Sequence, residues 1–135
     1  MKKFSVLMVL VLAMSLVLTA CGGSKATTTP KVDMVDFAFE PTDLTVPAGQ
    51  EITMTLVNNG AVEHEYVIMK FGQTIGDDFG DEDEENIYWE AEVEAGQTDT
   101  VTFTAPTEPG EYQVVCGIEG HFVAGMVAKL IVVAP

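Results

Sequence analysis

Tyr112-Gln113-Val114-Val115-Cys116-Gly117-Ile118-Glu119-Gly120-His121-Phe122-Val123-Ala124-Gly125-Met126, running on into Val127 to Val133, passes from strand to loop and back to strand. Tyr112, Val114 and Cys116 alternate with Gln113 and Val115, and a period of two places the first set on one face of a sheet. Gly117, Gly120 and Gly125 then break the alternation and permit tight turning and close backbone approach. From Met126 the β-branched run to Val133 reads as a closing strand. A loop pinned between two strands in this way can present Cys116, His121 and Met126 to a single point.

Upstream the same alternation recurs between Pro, Gly and Asn-Gly punctuation. Val35, Phe37 and Phe39 alternate with Asp36 and Ala38 up to Glu40-Pro41, and a short strand follows at about Leu44 to Val46. Ile52, Met54 and Leu56 share a face until Asn58-Asn59-Gly60. His64, Tyr66 and Ile68 share another, Ile87 to Val93 resumes a strand, and Val101 with Phe103 marks the next. Seven to eight short strands without a helical pattern predict an all-β fold, a Greek-key antiparallel β-sandwich. Residues 70–86 differ in kind. Their carboxylates at 77, 78 and 81–85 are too many for a packed strand to bury, so the segment reads as a solvated loop or a ragged short helix.

The N-terminus is expected to lie outside this domain. Lys2 and Lys3 precede an apolar run from Phe4 to Leu18 that is short for a membrane span. The pattern is that of a signal peptide over residues 1–20, with an uncleaved single-pass anchor as the alternative. Leu18-Thr19-Ala20-Cys21 resembles a bacterial lipobox, in which cleavage leaves a lipidated cysteine, here Cys21. Residues 21–31, with Gly22-Gly23-Ser24, read as a lipidated tether, and the domain is expected over 32–135. Such a protein would be extracytoplasmic or periplasmic, anchored to a bacterial membrane by an N-terminal lipid.

Charge narrows the partners. Residues 21–135 hold four lysines, no arginine and all 21 acids of the chain, a formal charge of −17. That surface repels phosphate backbones, so nucleic acid is excluded as a partner class. With Cys21 acylated, no internal disulfide can form and Cys116 is a lone thiol in an oxidising compartment, a liability unless it is buried or holds a metal.

Taken singly, His64 between Glu63 and Glu65 is a surface histidine paired with carboxylate, Met126 is a core methionine and His121 a loop histidine. Their conjunction carries the reading. Residues 21–135 have two histidines and one unlipidated cysteine, and all three fall into one arrangement with Met126. Two imidazoles, a thiolate and a thioether can hold copper in either oxidation state in a compromise trigonal geometry. Metal ligands are therefore expected at His64, Cys116, His121 and Met126, with one copper ion cycling between Cu(I) and Cu(II). The chemistry is electron transfer rather than enzymatic catalysis, since four protein ligands leave no open position for a substrate. Two other classes compete: a copper-handling protein that sequesters or delivers the metal, although Met-rich and His-rich tracts are lacking, and an adhesion or assembly β-sandwich without metal.

The segments Asn58-Asn59-Gly60-Ala61-Val62-Glu63-His64 and Tyr112 to Met126 together resemble the cupredoxin family of small blue copper proteins. The Cys-x4-His-x4-Met loop is most similar to auracyanin-like bacterial members, and longer than the plastocyanin and azurin loops. The resemblance spans Val32 to Val133. It implies a cupredoxin-like Greek-key sandwich, a type 1 copper site on His64, Cys116, His121 and Met126, and one-electron shuttling between membrane or periplasmic redox complexes by a monomer. Many members place asparagine directly after the first histidine ligand; here the residue is Glu65, with Asn59 as the candidate substitute. The resemblance also implies that the edge of His121 reaches the surface through an apolar patch, for which Ala61, Val62, Ile118, Phe122, Val123 and Ala124 are candidates. The acidic stretch Asp77 to Glu85 could steer a redox partner with a basic docking face, such as a cytochrome, or be merely solvated.

Overall fold

The structure is a computed structural model and describes residues 25–135; the signal peptide expected over 1–20 and the lipidation site at Cys21 lie outside the described residues. Nine strands follow one another: β1 Lys31–Val35, β2 Ala38–Glu40, β3 Asp43–Pro47, β4 Glu51–Asn58, β5 His64–Met69, β6 Ile87–Val93, β7 Thr98–Thr104, β8 Gly110–Val115 and β9 Val127–Val133. They form two sheets, in the orders β2-β1-β4-β7 and β3-β9-β8-β5-β6. No α-helix occurs among the described residues, and none of their segments is a helix long and apolar enough to cross a membrane. The all-β Greek-key-like sandwich is as expected, with two refinements: the described residues form nine strands rather than seven to eight, because the first is broken in two, and the pairing is mixed. Most neighbours are antiparallel, but β1 lies parallel to β4 and β3 parallel to β9.

Alternation accounts for the core. Ile52, Met54 and Leu56 of β4, Tyr112 and Val114 of β8, and Ala128, Leu130 and Val132 of β9 point into one cluster between the sheets, with Val32, Met34, Phe39, Tyr66, Ile68, Phe103, Cys116 and Met126. Burial of such side chains contributes about 1.5–3 kcal/mol each relative to exposure.

Two segments depart from the simple pattern. The strand expected to carry Val35, Phe37 and Phe39 on one face is broken in two: Phe37 has φ +67° and the chain reverses there, so that Val35 pairs with Ala38. Val32, Met34 and Phe39 are buried, while Phe37 is exposed. A positive φ turns the side chain out of the pleat, which a count of apolar residues does not register. In β5, Val67 and Met69 are buried as well as His64, Tyr66 and Ile68, because the strand is covered on both faces. Val67, Met69 and Val115 form a second cluster with Ile75, and Phe79, Ile87 and Phe122 pack on it. The acidic segment is thus solvated through its carboxylates and seated through Ile75 and Phe79. Its one regular piece is a 3-10 turn at Glu84–Asn86. The backbone N–H of Ile75 donates to Gln113 Oε1 at 2.7 Å and ties the loop to β8.

Before β1 the chain already follows the sandwich. Thr27 N–H donates to the Thr45 carbonyl at 3.1 Å, and the carbonyls of Thr28 and Pro30 accept from Thr53 and Thr55 of β4. The ends of β1, β4 and β8 and the starts of β5 and β9 gather at one end of the sandwich, where Met34 lies beside Asn58 and the Cys116 N–H meets the Met126 carbonyl.

Candidate metal centre

The loop from Cys116 to Met126 is closed by its own backbone. Cys116 N–H donates to the Met126 carbonyl at 3.1 Å, Met126 N–H to the His121 carbonyl at 3.0 Å, and His121 N–H to the Ile118 carbonyl at 3.0 Å. Gly120 and Gly125, at φ +79° and +98°, supply the left-handed turns this path requires. Residues ten apart in sequence are therefore direct backbone neighbours. Cys116 and Met126 are fully buried and His121 is 8% exposed.

His64, also fully buried, enters from the start of β5 and completes the group. Its Nδ1 lies 3.2 Å from His121 Nδ1 and 3.9 Å from Cys116 Sγ, and His121 Nδ1 lies 3.3 Å from the same sulfur. The circumradius of a triangle with these sides is about 2.0 Å, the metal–nitrogen distance and just short of the metal–sulfur distance of first-row ions. Among the described residues, His64, Cys116 and His121 are the buried group whose donor atoms converge in this way. Soft sulfur with two imidazoles suits copper or zinc and disfavours magnesium and calcium, so the donor set fits the copper expectation. Met126 joins through its position: buried in the same core cluster as Cys116 and hydrogen-bonded along the backbone to both Cys116 and His121.

Burial sets the protonation of the donors at that point. Burial, then the proximity of His121, lowers the His64 pKa from its ordinary 6.5, while Asp36 opposes the shift, so the imidazole is held neutral with a lone pair to offer. Burial raises the Cys116 thiol above its ordinary 9.0, against the backbone N–H groups of Glu65 and Ile118, and the carboxylates of Glu65 and Glu63 push it further up. A metal binding here must displace the thiol proton. The Glu65 N–H points at Cys116 Sγ, 3.4 Å away, and would stabilise a thiolate once formed.

Several residues that hold His64 escaped the sequence reading. Asp36 Oδ1 lies 3.5 Å from His64 Nε2 and accepts a hydrogen bond from Ala61 N–H at 3.0 Å. His64 Nε2 itself is buried without a hydrogen-bond partner, the carboxylate being just beyond bonding distance. Gly60 leaves room for this approach, for a Cβ there would sit 2.5 Å from both Asp36 Oδ1 and His64 Nε2. Asn58, 1% exposed, donates to the Val62 and Val93 carbonyls at 2.8 Å each and accepts from Gly60 N–H at 2.9 Å. The bridge expected from Asn59 is not made, since its side chain turns to Asp33 Oδ1 at 3.0 Å. Glu65 reaches the Cys116 loop instead, its carboxylate lying where a side chain on Gly117 would be. Burial, with Glu90, Glu92 and Glu63 around it, raises the Glu65 pKa.

The expected apolar patch divides in two. Ala61, Val62, Val123 and Ala124 are exposed, whereas Ile118 packs on the main core and Phe122 on the second cluster.

A family profile described as a cupredoxin-like domain matches residues 7–132. The chain belongs to the cupredoxin-like family. Auracyanin-A of Chloroflexus aurantiacus is 32% identical to this cupredoxin over 149 residues, covering 89% of this chain and 91% of the relative. Its solved structure, described as a "blue" copper protein, superposes with a TM-score of 0.61 at 31% identity over 77% of this chain and 99% of that one. Dithionite-reduced auracyanin of Roseiflexus castenholzii gives a TM-score of 0.68 at 30% identity, covering 81% and 99%. This cupredoxin is also 31% identical to the copper-resistant cuproprotein CopI of Rubrivivax gelatinosus, over 81% of this chain and 68% of that protein.

Proposed function

We propose that the protein is a one-electron carrier with a mononuclear type 1 copper site held by His64, Cys116, His121 and Met126. The observation that carries this is the convergence of two imidazole nitrogens and one buried sulfur on a point about 2.0 Å from each. Copper held by these four side chains would supply a Cu(I)/Cu(II) couple able to exchange one electron. The chain's own residues do the rest. Their backbone closure fixes the donors before any metal arrives, which limits rearrangement on redox, and the surrounding core excludes water. With four side chains committed, the site has no position for a substrate, so we read it as a carrier rather than a catalyst.

The wider setting follows the same reading. Cleavage before Cys21 and lipidation of that residue would hold the domain, as a monomer, at the outer face of a bacterial membrane. The stretch after it would act as a tether up to Thr27, where the chain is hydrogen-bonded to the sandwich. Redox proteins with a basic docking face, cytochromes among them, suit the exposed carboxylates of residues 77–85. The reading is tested by adding copper(II) to metal-free protein. One equivalent should produce an intense thiolate-to-copper band and a reversible one-electron voltammogram; a colourless product would defeat it.

Delivery or sequestration of copper is the second reading, favoured by the likeness to a copper-resistance cuproprotein. The two separate in kinetics. A carrier exchanges electrons fast and releases copper slowly, whereas a handler yields its metal readily to a competing chelator and shows sluggish electrochemistry.

A further inference from the structure

Phe37 occupies the second central position of the two-residue turn between β1 and β2, with φ +67°. Turn chemistry assigns that position to glycine or asparagine, and a bulky aromatic residue there is strained. The residue is also 48% exposed, so core burial does not account for its presence. What it touches does. Phe37 meets His121 edge-on, with ring centroids 5.3 Å apart and planes at 89°. His121 directs Nδ1 inward to Cys116 and His64, which leaves the remainder of its imidazole as the side that could face solvent, yet it is only 8% exposed. Asp36, the other residue of the same turn, is held by Ala61 N–H and approaches His64 Nε2. One strained turn therefore touches both histidines.

We propose that Phe37 is a positioning residue for His121: the strained turn sets its ring against the imidazole, fixes the ring's orientation and seals its outer edge from water. In a sandwich whose metal donors converge from separate loops, this contact would hold the donor that is otherwise nearest the surface. The inference rests on the copper reading for its consequence, that electrons pass the His121 edge through a dry aromatic rim, but its test needs no metal.

The test uses metal-free full-length protein and its Phe37→Gly, Phe37→Asn and Phe37→Tyr variants. Each is treated with diethyl pyrocarbonate, modification at His121 and His64 is followed by peptide mass mapping, and the denaturation midpoint is measured alongside. Fully buried His64 is the internal reference. Removal of the ring by Gly or Asn, both at ease with a positive φ, should speed His121 modification severalfold, leave His64 slow, and leave the midpoint unchanged or raised. Phe37→Tyr should restore the wild-type rate. An unchanged His121 rate in the Gly and Asn variants would overturn the proposal. So would parallel acceleration of both histidines with a lowered midpoint, which would make Phe37 a packing residue only. Copper addition to the wild type separates the two levels: failure of colour there would defeat the copper reading, whatever the modification rates show.

Discussion

The Cys116–Met126 loop and the corner that holds His64 deliver donors to the same point by opposite means. The loop is local: its donors lie within eleven residues and its hydrogen bonds run among those same residues. The His64 corner is assembled from distant pieces, Asp36 from the β1–β2 turn, Asn58 and Gly60 from the end of β4, and Val93 from β6. A local device tolerates change around it, whereas an assembled one fails when any piece shifts. The contrast also explains why burial is complete at His64 and incomplete at His121, which needs Phe37 to cover it.

The largest effect should come from the shared sulfur. Cys116→Ser removes the soft donor common to both regions and should abolish the charge-transfer band completely, as recorded by visible spectroscopy after copper addition. Next, a pair of substitutions sets the regions against each other. Gly60→Ala drives a methyl group between Asp36 and His64, and copper affinity in a chelator competition should fall by about 10–100-fold, as when the orienting partner of a metal-binding histidine is lost. Gly120→Ala meets no atom within 4 Å and should leave affinity intact, costing about 1 kcal/mol of folding stability through its positive φ. Equal losses of affinity from both would erase the distinction.

Asn58→Ala strips three hydrogen bonds from the His64 corner and leaves buried backbone groups unpaired, so denaturant unfolding of the metal-free protein should show a loss of about 2–3 kcal/mol. The smallest effect is one of pH. His64 has its pKa lowered on folding, so below 6.5 the unfolded chain binds more protons there than the folded one. The His64 contribution should therefore leave metal-free stability flat above pH 6.5 and erode it as pH falls below that value. The contribution is isolated by following the His64 imidazole resonance by NMR in the metal-free protein, because Glu65, whose pKa is raised, acts on the overall midpoint in the opposite sense; a His64 that titrates above 6.5 would contradict its assignment as a neutral buried imidazole.

The same division governed what could be read from sequence. Cys116, His121 and Met126 were legible because strand alternation flanks them and glycines mark the loop. His64 was legible through the scarcity of histidines. Asp36 and Asn58 were not, since they approach the site through the parallel pairing of β1 with β4, and a parallel pair has no connecting turn to announce its register. Phe37 read as a strand residue because period-two alternation counts apolar side chains and is blind to φ. The acidic loop was legible as solvated from its carboxylates, but the seating of Ile75 and Phe79 over Val67 and Met69 depends on a second buried face of β5 that alternation does not signal.

X-ray absorption at the copper edge, measured on the loaded protein in both oxidation states, tests the central claim most directly, that His64, Cys116 and His121 hold one copper ion and keep it through the redox cycle. Two nitrogens and one sulfur are expected at about 2.0–2.3 Å in each state, with shifts on the order of 0.1 Å between them. A shell without sulfur, or a nitrogen lost on reduction, would contradict it.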